Sequence, residues 1–400
     1  MIFMPQKLVY VYYHNYDAKQ LMGRLLLKNR QIFFEYDATF IKLGLQLSPF
    51  KLPLKGGVIS STDRTFEGLF GVFNDSLPDG WGKLLLDRKL MSLEIDPSIL
   101  SPLDRLCFVG ANGMGTLSYE PENLSSSVHS STDLDEIDYE IQATLEENNQ
   151  YVDDLFALGG SSAGARPKVL LKIDNEDWLI KFRSSFDPKD ISAIEYAYHL
   201  MAIESGLNVP EGKLFPSRKN SLGFFGVKRF DRKNNHRIHI HTIAGLLHAD
   251  HREPSLDYAT IMKASLYLTN DVRQNETQFR NAVFNVLSHN RDDHSKNFSF
   301  MMNEDGTWSI SPAYDLTFSS GFAGEHSTMI LGEGKNPTKE HLLKLAEVGN
   351  IKKEKALAII SQILEAVAKW KTFAANTGVS KLQTKNIENA LDRVMKNMKK

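Results

Sequence analysis

Short apolar stretches separated by polar turns make up the first 120 residues, a pattern typical of a β-rich region. A helical spacing of leucines first appears after Gly80, where it predicts a helix that ends near Leu90. Residues 23–27 and 32–36 flank a polar turn and are therefore expected to pair as a hairpin. The predicted strands of this region are residues 8–13, 23–27, 32–36 and 38–42.

Strands around one clear helix characterise the middle of the chain, and helical patterns dominate after Asp257. A polar, serine-rich stretch at residues 121–134 predicts a domain boundary, and a helix is expected to follow it through Glu147. Apolar side chains fall on one face of the predicted helix 190–206. The final helix, 386–398, has a similar stripe and is expected to pack on its own domain. The predicted strands of the middle region are residues 169–173, 178–182 and 224–230.

Composition excludes several classes of protein. The 400 residues carry a formal net charge of −2, so no global field draws the chain to nucleic acid or anionic lipid. The single cysteine, Cys107, excludes an internal disulfide and fits a reducing compartment. Residues 1–17 lack the features of a signal peptide, and no apolar run is as long as a membrane span. A cytoplasmic protein is therefore expected.

The most informative segment is residues 290–315, in which an Asp, an Asn and a second Asp surround a predicted hairpin. Asp292 lies five residues before Asn297, and Asp315 follows the hairpin in the sequence Pro-Ala-Tyr-Asp. An Asp-Gly turn is expected to return Asp315 to the end of the sheet where Asn297 lies. Kinase-like enzymes use an Asp to orient the acceptor hydroxyl, and an Asn and a later Asp to hold Mg²⁺. A solvated loop would explain an isolated Asp-x-x-x-x-Asn motif. The presence of Asp, Asn, hairpin and second Asp in this order favours phosphoryl transfer instead.

Two further segments provide groups that a nucleotide phosphate needs. Lys181 lies in a predicted strand, and a lysine on the inner face of a sheet is costly unless an anion meets it. Glu195, on the flank of the next helix, can point toward the sheet and brace that lysine. The alternative is a surface lysine on an edge strand and a surface glutamate. Residues 159–168 form a Gly/Ala/Ser-rich loop whose backbone N–H groups can approach phosphate, although it is not a Walker A motif.

Residues of both positive and negative charge lie at the end of the strand predicted at residues 224–230. Arg229 and Asp231 lie on one face at period two. If this strand runs into a hinge between two lobes, backbone groups from Phe225 to Val227 would meet an adenine edge. An ion-paired strand end explains the same residues equally well, and both interpretations stay open.

Histidines cluster in the region that follows, so a zinc site has to be weighed because histidine is a common zinc ligand. The spacing matches no closed zinc site, no cysteine lies among them, and the sequence HExxH is absent. A solvated, partly loop-bound group of side chains is therefore favoured. The five residues are His236, His239, His241, His248 and His251.

Together these motifs resemble the HipA family, the serine/threonine kinase toxins of bacterial type II toxin–antitoxin modules. The resemblance covers nearly the whole chain, and the combination of motifs is far more specific than any one of them. The motifs that carry it are residues 77–80, 110–117, 160–165, 227–232, 290–297 and 311–315.

The resemblance implies an α+β, two-lobed protein-kinase-like fold of the phosphoinositide-kinase-like type. Residues 1–122 would form a β-rich N-terminal subdomain of the HipA type. Residues 123–235 would form the kinase N-lobe with the Gly/Ser-rich loop. Residues 236–400 would form a mainly helical C-lobe that carries the catalytic loop and the metal site.

By motif match, the resemblance also implies roles for individual residues. Asp292 and Asn297 would be catalytic, Asn297 and Asp315 would hold Mg²⁺, and Lys181 would bind ATP phosphates. Ser161, or its neighbour Ser162, would be autophosphorylated, and a phosphoserine there would repel ATP phosphates and silence the enzyme. The further residues expected to bind the nucleotide are Glu195, Ser161, Ser162, Ala163, Gly164, Phe225, Val227, His294 and Lys296.

The expected function is therefore that of an ATP- and Mg²⁺-dependent protein serine/threonine kinase acting as a growth-arresting toxin. The resemblance implies an aminoacyl-tRNA synthetase as protein substrate and a HipB-like helix-turn-helix antitoxin as partner. Operator DNA would be bound mainly through that antitoxin, and no membrane would be involved. Two alternatives stay open: a small-molecule kinase, and a non-catalytic co-repressor that only binds its antitoxin. Nucleotide-dependent thermal stabilisation would distinguish a kinase from the co-repressor.

Overall fold

The structure is a computed structural model that describes residues 4–15, 18–123, 131–160 and 164–398. It combines α-helices with mostly antiparallel sheets, in agreement with the mixture of strand and helix patterns in the sequence. Throughout these ranges, every helix is too short or too polar to pass through a lipid bilayer.

An N-terminal antiparallel sheet is formed by β1 (Leu8–Asn15), β2 (Ala18–Lys28), β3 (Gln31–Tyr36), β4 (Val58–Ser60) and β5 (Leu117–Glu120). The strand order is β4-β3-β2-β1-β5, so the last strand returns beside the first. The predicted hairpin is confirmed as β2 and β3. Its two turn residues, Asn29 and Arg30, both have positive φ, as a tight type I′ turn requires.

Helices α1 (Ala38–Ile41), α2 (Gly71–Asn74), α3 (Gly80–Ser92) and α4 (Pro102–Val109) lie between β3 and β5 in the chain. The predicted helix after Gly80 is confirmed as α3. The predicted strand at residues 38–42 is wrong, because these residues begin α1. The Asp37 side chain accepts a hydrogen bond from the backbone N–H of Thr39 and thereby caps the first turn of this helix.

The middle sheet consists of β6 (Lys168–Ile173), β7 (Glu176–Lys181), β8 (Gly212–Phe215) and β9 (Phe224–Lys228), in the order β6-β7-β9-β8. Helices α5 (Leu134–Leu145), α6 (Val152–Gly159) and α7 (Ile191–Glu204) belong to the same part of the chain. The predicted strands and the helix at 190–206 are confirmed within a few residues. In the β6–β7 hairpin, Lys168 lies opposite Lys181.

The last part of the chain is mainly helical, as predicted, with α8 (Ile243–Leu247), α9 (Tyr258–Thr269), α10 (Val272–Leu287), α11 (Lys339–Val348), α12 (Lys353–Val367), α13 (Trp370–Thr377) and α14 (Lys381–Asn397). Its small sheets pair β10 (Arg232–Lys233) with β11 (His236–Arg237), β13 (Leu256–Asp257) with β16 (Thr328–Met329), and β14 (Ser299–Met302) with β12 (His239–Thr242) and β15 (Trp308–Ile310). The predicted hairpin after Asn297 is confirmed as β14 and β15. The predicted packing of the final helix is also confirmed, because Ile387 and Leu391 are buried in the main core.

Two hydrophobic clusters form the core of the described residues; the larger crosses both predicted domain boundaries, and the smaller crosses the one at residue 122. The larger one joins the N-terminal sheet to the C-terminal helices. In the other, Trp81 and Leu85 of α3 pack with Ile137 of α5 and Val169 of β6. The division at residues 122 and 235 stays a prediction, since the described parts share their cores.

Buried histidines join the N-terminal region to the rest of the chain. His241 is fully buried, with Nδ1 2.6 Å from Oδ2 of Asp75 and Nε2 2.9 Å from Oγ of Ser48. His239 places Nε2 3.0 Å from the carbonyl oxygen of Leu47. The expectation of a solvated histidine group is therefore wrong for these two residues, because β12 pairs with β14 and turns both side chains inward. In the described ranges, no three or more His, Cys, Asp and Glu side chains come together as a group that could hold a metal ion.

Candidate active site

A cavity of about 820 Å³ opens between the middle sheet and the segment that follows α10. Asp292, Asn297 and Asp315 all line it, so the three predicted side chains meet at one site. Lys181 lines the same cavity from the end of β7. The other predicted residues that line it are Gly164, Phe225, Val227, His294 and Lys296. The remaining predicted loop residues, Ser161, Ser162 and Ala163, lie outside the described residues.

Lys181 is the centre of an ion-pair network. Its Nζ lies 3.0 Å from Oε2 of Glu195 in α7 and donates a hydrogen bond to Oδ1 of Asp315. Glu195 is only 2% exposed, and its other oxygen, Oε1, accepts a hydrogen bond from Nη1 of Arg166 at 3.0 Å. The predicted contact between Lys181 and Glu195 is therefore present. It fixes the position of the ammonium group at the cavity wall.

Lys181 and Asp315 keep each other charged. Burial alone would lower the pKa of Lys181, but Asp315 and Glu195 raise it above the ordinary lysine value. Burial alone would raise the pKa of Asp315, but Lys181 and Lys168 bring it far below the ordinary value. Both side chains are therefore ionised at neutral pH, as binding of phosphate by the first and of a cation by the second requires.

Lys168 is a second buried lysine of the site, and the sequence analysis did not single it out as a binding residue. It lines the cavity with 4% of its surface exposed, and a Cβ added at Gly164 would lie 2.2 Å from its Nζ. Burial lowers its pKa, while the charge of Asp315 opposes the change. The hairpin register was the available signal, because residues directly opposite Lys181 share its face of the sheet.

Asp293 anchors the loop that carries Asp292. It is fully buried and accepts hydrogen bonds from the hydroxyl group of Tyr258 at 2.7 Å and the backbone N–H of Ser327 at 2.9 Å. Nδ1 of His326 lies 2.8 Å from the same carboxylate. Each oxygen of Asp293 thus has a protein partner, so this residue holds the loop in place while its neighbour is left to face the cavity.

Asp292 reaches solvent at the rim of the cavity, where a substrate hydroxyl would approach. Surrounding protein raises the pKa of its carboxyl by desolvation, while His294 opposes this rise and Asp315 adds to it. Asn297 donates a hydrogen bond from Nδ2 to the backbone carbonyl of Asp292 at 2.7 Å, so its Oδ1 is the atom left for a ligand. Within the described chain, the buried Nδ1 of His294 has no hydrogen-bond partner.

Asp79, at the start of α3, connects the N-terminal region to this site. Its Oδ2 accepts a hydrogen bond from Nζ of Lys296 at 2.5 Å, and its Oδ1 accepts one from the backbone N–H of Gly164. The backbone N–H of Trp81 donates to the carbonyl of Gly164 at 3.0 Å. A Cβ on Gly80 would lie 2.5 Å from that same oxygen, so the close contact between the start of α3 and Gly164 requires glycine at residue 80. One carboxylate therefore holds both the loop that contains Lys296 and the end of the small-residue loop.

The exit from β9 bears on the adenine-edge hypothesis, which stays a prediction. Gly226 and Val227 have cross-strand partners in both β7 and β8, and Phe225 pairs with β8, so sheet ladders use this backbone. Phe225 and Val227 line the cavity. Phe230 also lines it, and in the described part of the chain its backbone N–H has no hydrogen-bond partner. The ring of Phe230 lies 5.5 Å from that of Tyr314.

Arg229 and Asp231 form the ion pair that the second interpretation of this strand end predicted. Nε and Nη2 of Arg229 donate to the two oxygens of Asp231 at 2.8 and 2.7 Å. Nη1 of Arg232 donates to the same carboxylate at 2.7 Å, as does the backbone N–H of Gly115 at 2.9 Å. Asp231 is 1% exposed. It therefore ties the loop before β5 to the middle sheet.

Comparisons with known proteins identify the family. The family model "HipA N-terminal domain" matches residues 11–120, and the model "HipA-like C-terminal domain" matches residues 160–371. The chain therefore belongs to the HipA family, which confirms the family that its motifs predicted.

A solved structure of a HipA protein shows the same fold. The chain is similar to HipA of Shewanella oneidensis MR-1, solved as a toxin–antitoxin complex with HipB and its operator DNA. The two share 17% identity over 97% of this chain and 96% of that one, with a TM-score of 0.70. A further match is the proinflammatory kinase CtkA of Helicobacter pylori, with 16% identity over 59% of this chain and 90% of that one, and a TM-score of 0.43.

Proposed function

We propose that this chain is an ATP- and Mg²⁺-dependent protein serine/threonine kinase with a two-lobed, kinase-like arrangement. The observation that supports this most strongly is the position of Lys181 between Glu195 and Asp315, in the wall of the cavity that Asp292 and Asn297 also line. Lys181, Lys168 and Arg166 would neutralise the phosphate charges. Electrostatic positioning would provide most of the rate, because phosphoryl transfer demands little covalent chemistry from the protein.

In this proposal Asp292 accepts the proton of the substrate hydroxyl as the hydroxyl oxygen attacks the γ-phosphorus of ATP, and ADP leaves. Asp315 and Oδ1 of Asn297 offer the oxygen ligands that Mg²⁺ prefers, and bound Mg²⁺ would offset the charge on the phosphates. His294 would donate a hydrogen bond to a phosphate oxygen from its unpaired Nδ1. The adenine edge would meet the backbone of Phe230.

The biological role proposed is that of a toxin in a toxin–antitoxin module. Membership of the HipA family supports this role, as does the likeness in fold to a HipA that forms a complex with HipB and operator DNA. The partner would be a HipB-like helix-turn-helix antitoxin, which would mediate contact with operator DNA. The substrate would be an aminoacyl-tRNA synthetase, and the enzyme would also phosphorylate its own Ser161 or Ser162.

Transfer of label from γ-labelled ATP to protein tests the proposed activity. The wild-type chain is expected to label a protein fraction, whereas Lys181→Met and Asp315→Asn are expected to lose activity by roughly 10³-fold, because each removes charge from the phosphate site. Lys213→Met, a change of the same type in strand β8 of the same sheet, is the matched control and should keep its rate. Label found only in small metabolites would instead favour the small-molecule kinase.

The pH dependence of turnover is expected to report Asp292. A general base must be ionised, and desolvation raises the pKa of this carboxyl above the ordinary aspartate value of 3.8. As pH falls, kcat at saturating ATP and Mg²⁺ should therefore decline through a midpoint above that value. Circular dichroism at each pH would verify that the protein stays folded. A midpoint at or below 3.8 would contradict the role of base for Asp292 in this environment.

A further inference from the structure

A second cavity, of about 270 Å³, lies where the loop before β5 meets the β6–β7 hairpin and α6. Three arginines line it: Arg229, Arg232 and Arg237. We call it the arginine cavity. None of the roles proposed above for nucleotide binding or phosphoryl transfer uses this space.

Positive charge exceeds negative charge around the arginine cavity. Its wall contains the three arginines and Lys172, but Asp177 is its one acidic residue. Asp231, buried beside the wall, adds a second negative charge and is shared by Arg229 and Arg232. Lys172 is exposed and donates a hydrogen bond to Oδ1 of Asn235. The three guanidinium groups and the two carboxylates of Asp177 and Asp231 leave a net charge of about +1 at this wall, which favours the entry of an anion.

Arg237 has no acidic partner of its own. In the described ranges, no carboxylate oxygen lies within 4 Å of its guanidinium, which instead donates to the backbone carbonyls of Ala111 and Leu117. Burial lowers the pKa of Arg237, and the nearby charge of Arg229 lowers it further. Burial also lowers the pKa of Arg232, to about 10. Asp231 and Glu122 oppose the decrease in the pKa of Arg237 without cancelling it. Asp231 raises the pKa of Arg229, with which it is directly paired.

Hydrogen-bond donors also remain available. Each guanidinium has five N–H groups, and the contacts of Arg229 to Asp231 use only Nε and Nη2. Among the described residues, Nη1 of Arg229 and Nε of Arg237 have no hydrogen-bond partner. The planar guanidinium group can donate two parallel hydrogen bonds to two oxygens of one phosphate.

We propose that the arginine cavity binds a phosphate monoester at a site separate from the nucleotide cavity. The three guanidinium groups outnumber the carboxylates beside them, and a phosphate monoester, which carries about −1.5 to −2 near neutral pH, would supply negative charge and acceptor oxygens. The cavity exceeds the size of a bare phosphate, and Leu158 and Trp178 provide apolar wall for the esterified group. Arg229 lines both cavities, and its neighbour Phe230 lines the nucleotide cavity, so the two sites share a wall.

Calorimetric titration of the full-length protein with O-phosphoserine and with inorganic phosphate tests the site. The wild-type protein is expected to bind phosphoserine saturably, and Arg237→Gln to bind it about tenfold more weakly or worse, since bonds to charged groups contribute this much. Arg218→Gln removes an exposed arginine of the same region and should leave binding unchanged. Lys181→Met should also leave it unchanged, because its ammonium serves the other cavity.

Asn112→Asp provides a second, shape-conserving variant in case Arg237→Gln does not fold. Asn112 lines the arginine cavity, so a carboxylate there would supply part of the missing negative charge. Its thermal midpoint in phosphate-free buffer is expected to rise while its affinity for phosphoserine falls. Absence of binding to the wild-type protein would overturn the proposal. So would binding that survives both Asn112→Asp and Arg237→Gln but disappears in Lys181→Met, because the anion would then occupy the nucleotide cavity.

Discussion

Asp292→Asn is expected to abolish most phosphoryl transfer and leave the stability of the fold nearly unchanged. The carboxyl lies at the rim of the larger cavity and reaches solvent, so the substitution would remove the proposed general base without opening a buried network. General-base catalysis contributes roughly 10²–10⁴-fold, and the initial rate should fall by about that factor. Rates of label transfer and the midpoint of thermal unfolding measure the two effects on the same sample.

Asp293→Asn is the matched control, and the opposite result is expected of it. Asp293 is buried with partners on both oxygens, including Tyr258 and His326. An amide would present two donors where this network needs acceptors, which should cost about 3 kcal/mol of unfolding free energy. If Asp293→Asn instead kept its stability and lost activity as fully as Asp292→Asn, the assignment of roles to these neighbours would be reversed.

Asp79→Ala is expected to impair catalysis from outside the kinase motifs. Without this carboxylate, the buried ammonium of Lys296 loses its partner and the backbone N–H of Gly164 loses its acceptor. Displacement of positioning groups by about 1 Å can reduce a rate by about 10²-fold, so kcat/KM should fall by this order. KM for ATP should rise as well, because Gly164 and Lys296 both line the nucleotide cavity. Steady-state kinetics at varied ATP concentrations would separate the effect on kcat from the effect on KM.

Asp87→Ala is the control for that experiment, because Asp87 lies in the same helix and pairs with Lys83 at its surface. It is expected to retain wild-type kinetics. The assay temperature should be set well below both unfolding midpoints, since an unpaired Lys296 also lowers stability by about 3 kcal/mol. Wild-type kcat/KM in fully folded Asp79→Ala would show that Asp79 is only a structural contact.

The parts of the candidate site that the sequence predicted are those encoded locally. Asp292 and Asn297 lie five residues apart, and the Asp-Gly turn that returns Asp315 needs no information from elsewhere in the chain. The contact between Lys181 and Glu195 was also predictable, because a buried cation on a strand requires a nearby carboxylate. Each of these inferences used residue types and short spacings alone.

Contacts between distant segments were not predictable in this way. Asp79 and Lys296 are 217 residues apart, and nothing near either one indicates the other. His239 and His241 were misread as solvated because only their pairing in β12 turns them inward. At α1, the cap formed by Asp37 outweighed the β-propensity of the residues that follow, which composition alone does not reveal.

The backbone at Asp315 limits which residues can stand there, apart from any chemistry. Its φ is +53°, a left-handed conformation that glycine, asparagine and aspartate adopt more readily than other residues. Alanine at this position would add backbone strain to the loss of the carboxylate, whereas asparagine removes the charge alone. A relative that had abandoned ATP would still need a residue suited to this bend. Asparagine or glycine at this position in other chains would therefore indicate that the turn is preserved without the carboxylate proposed to hold the metal.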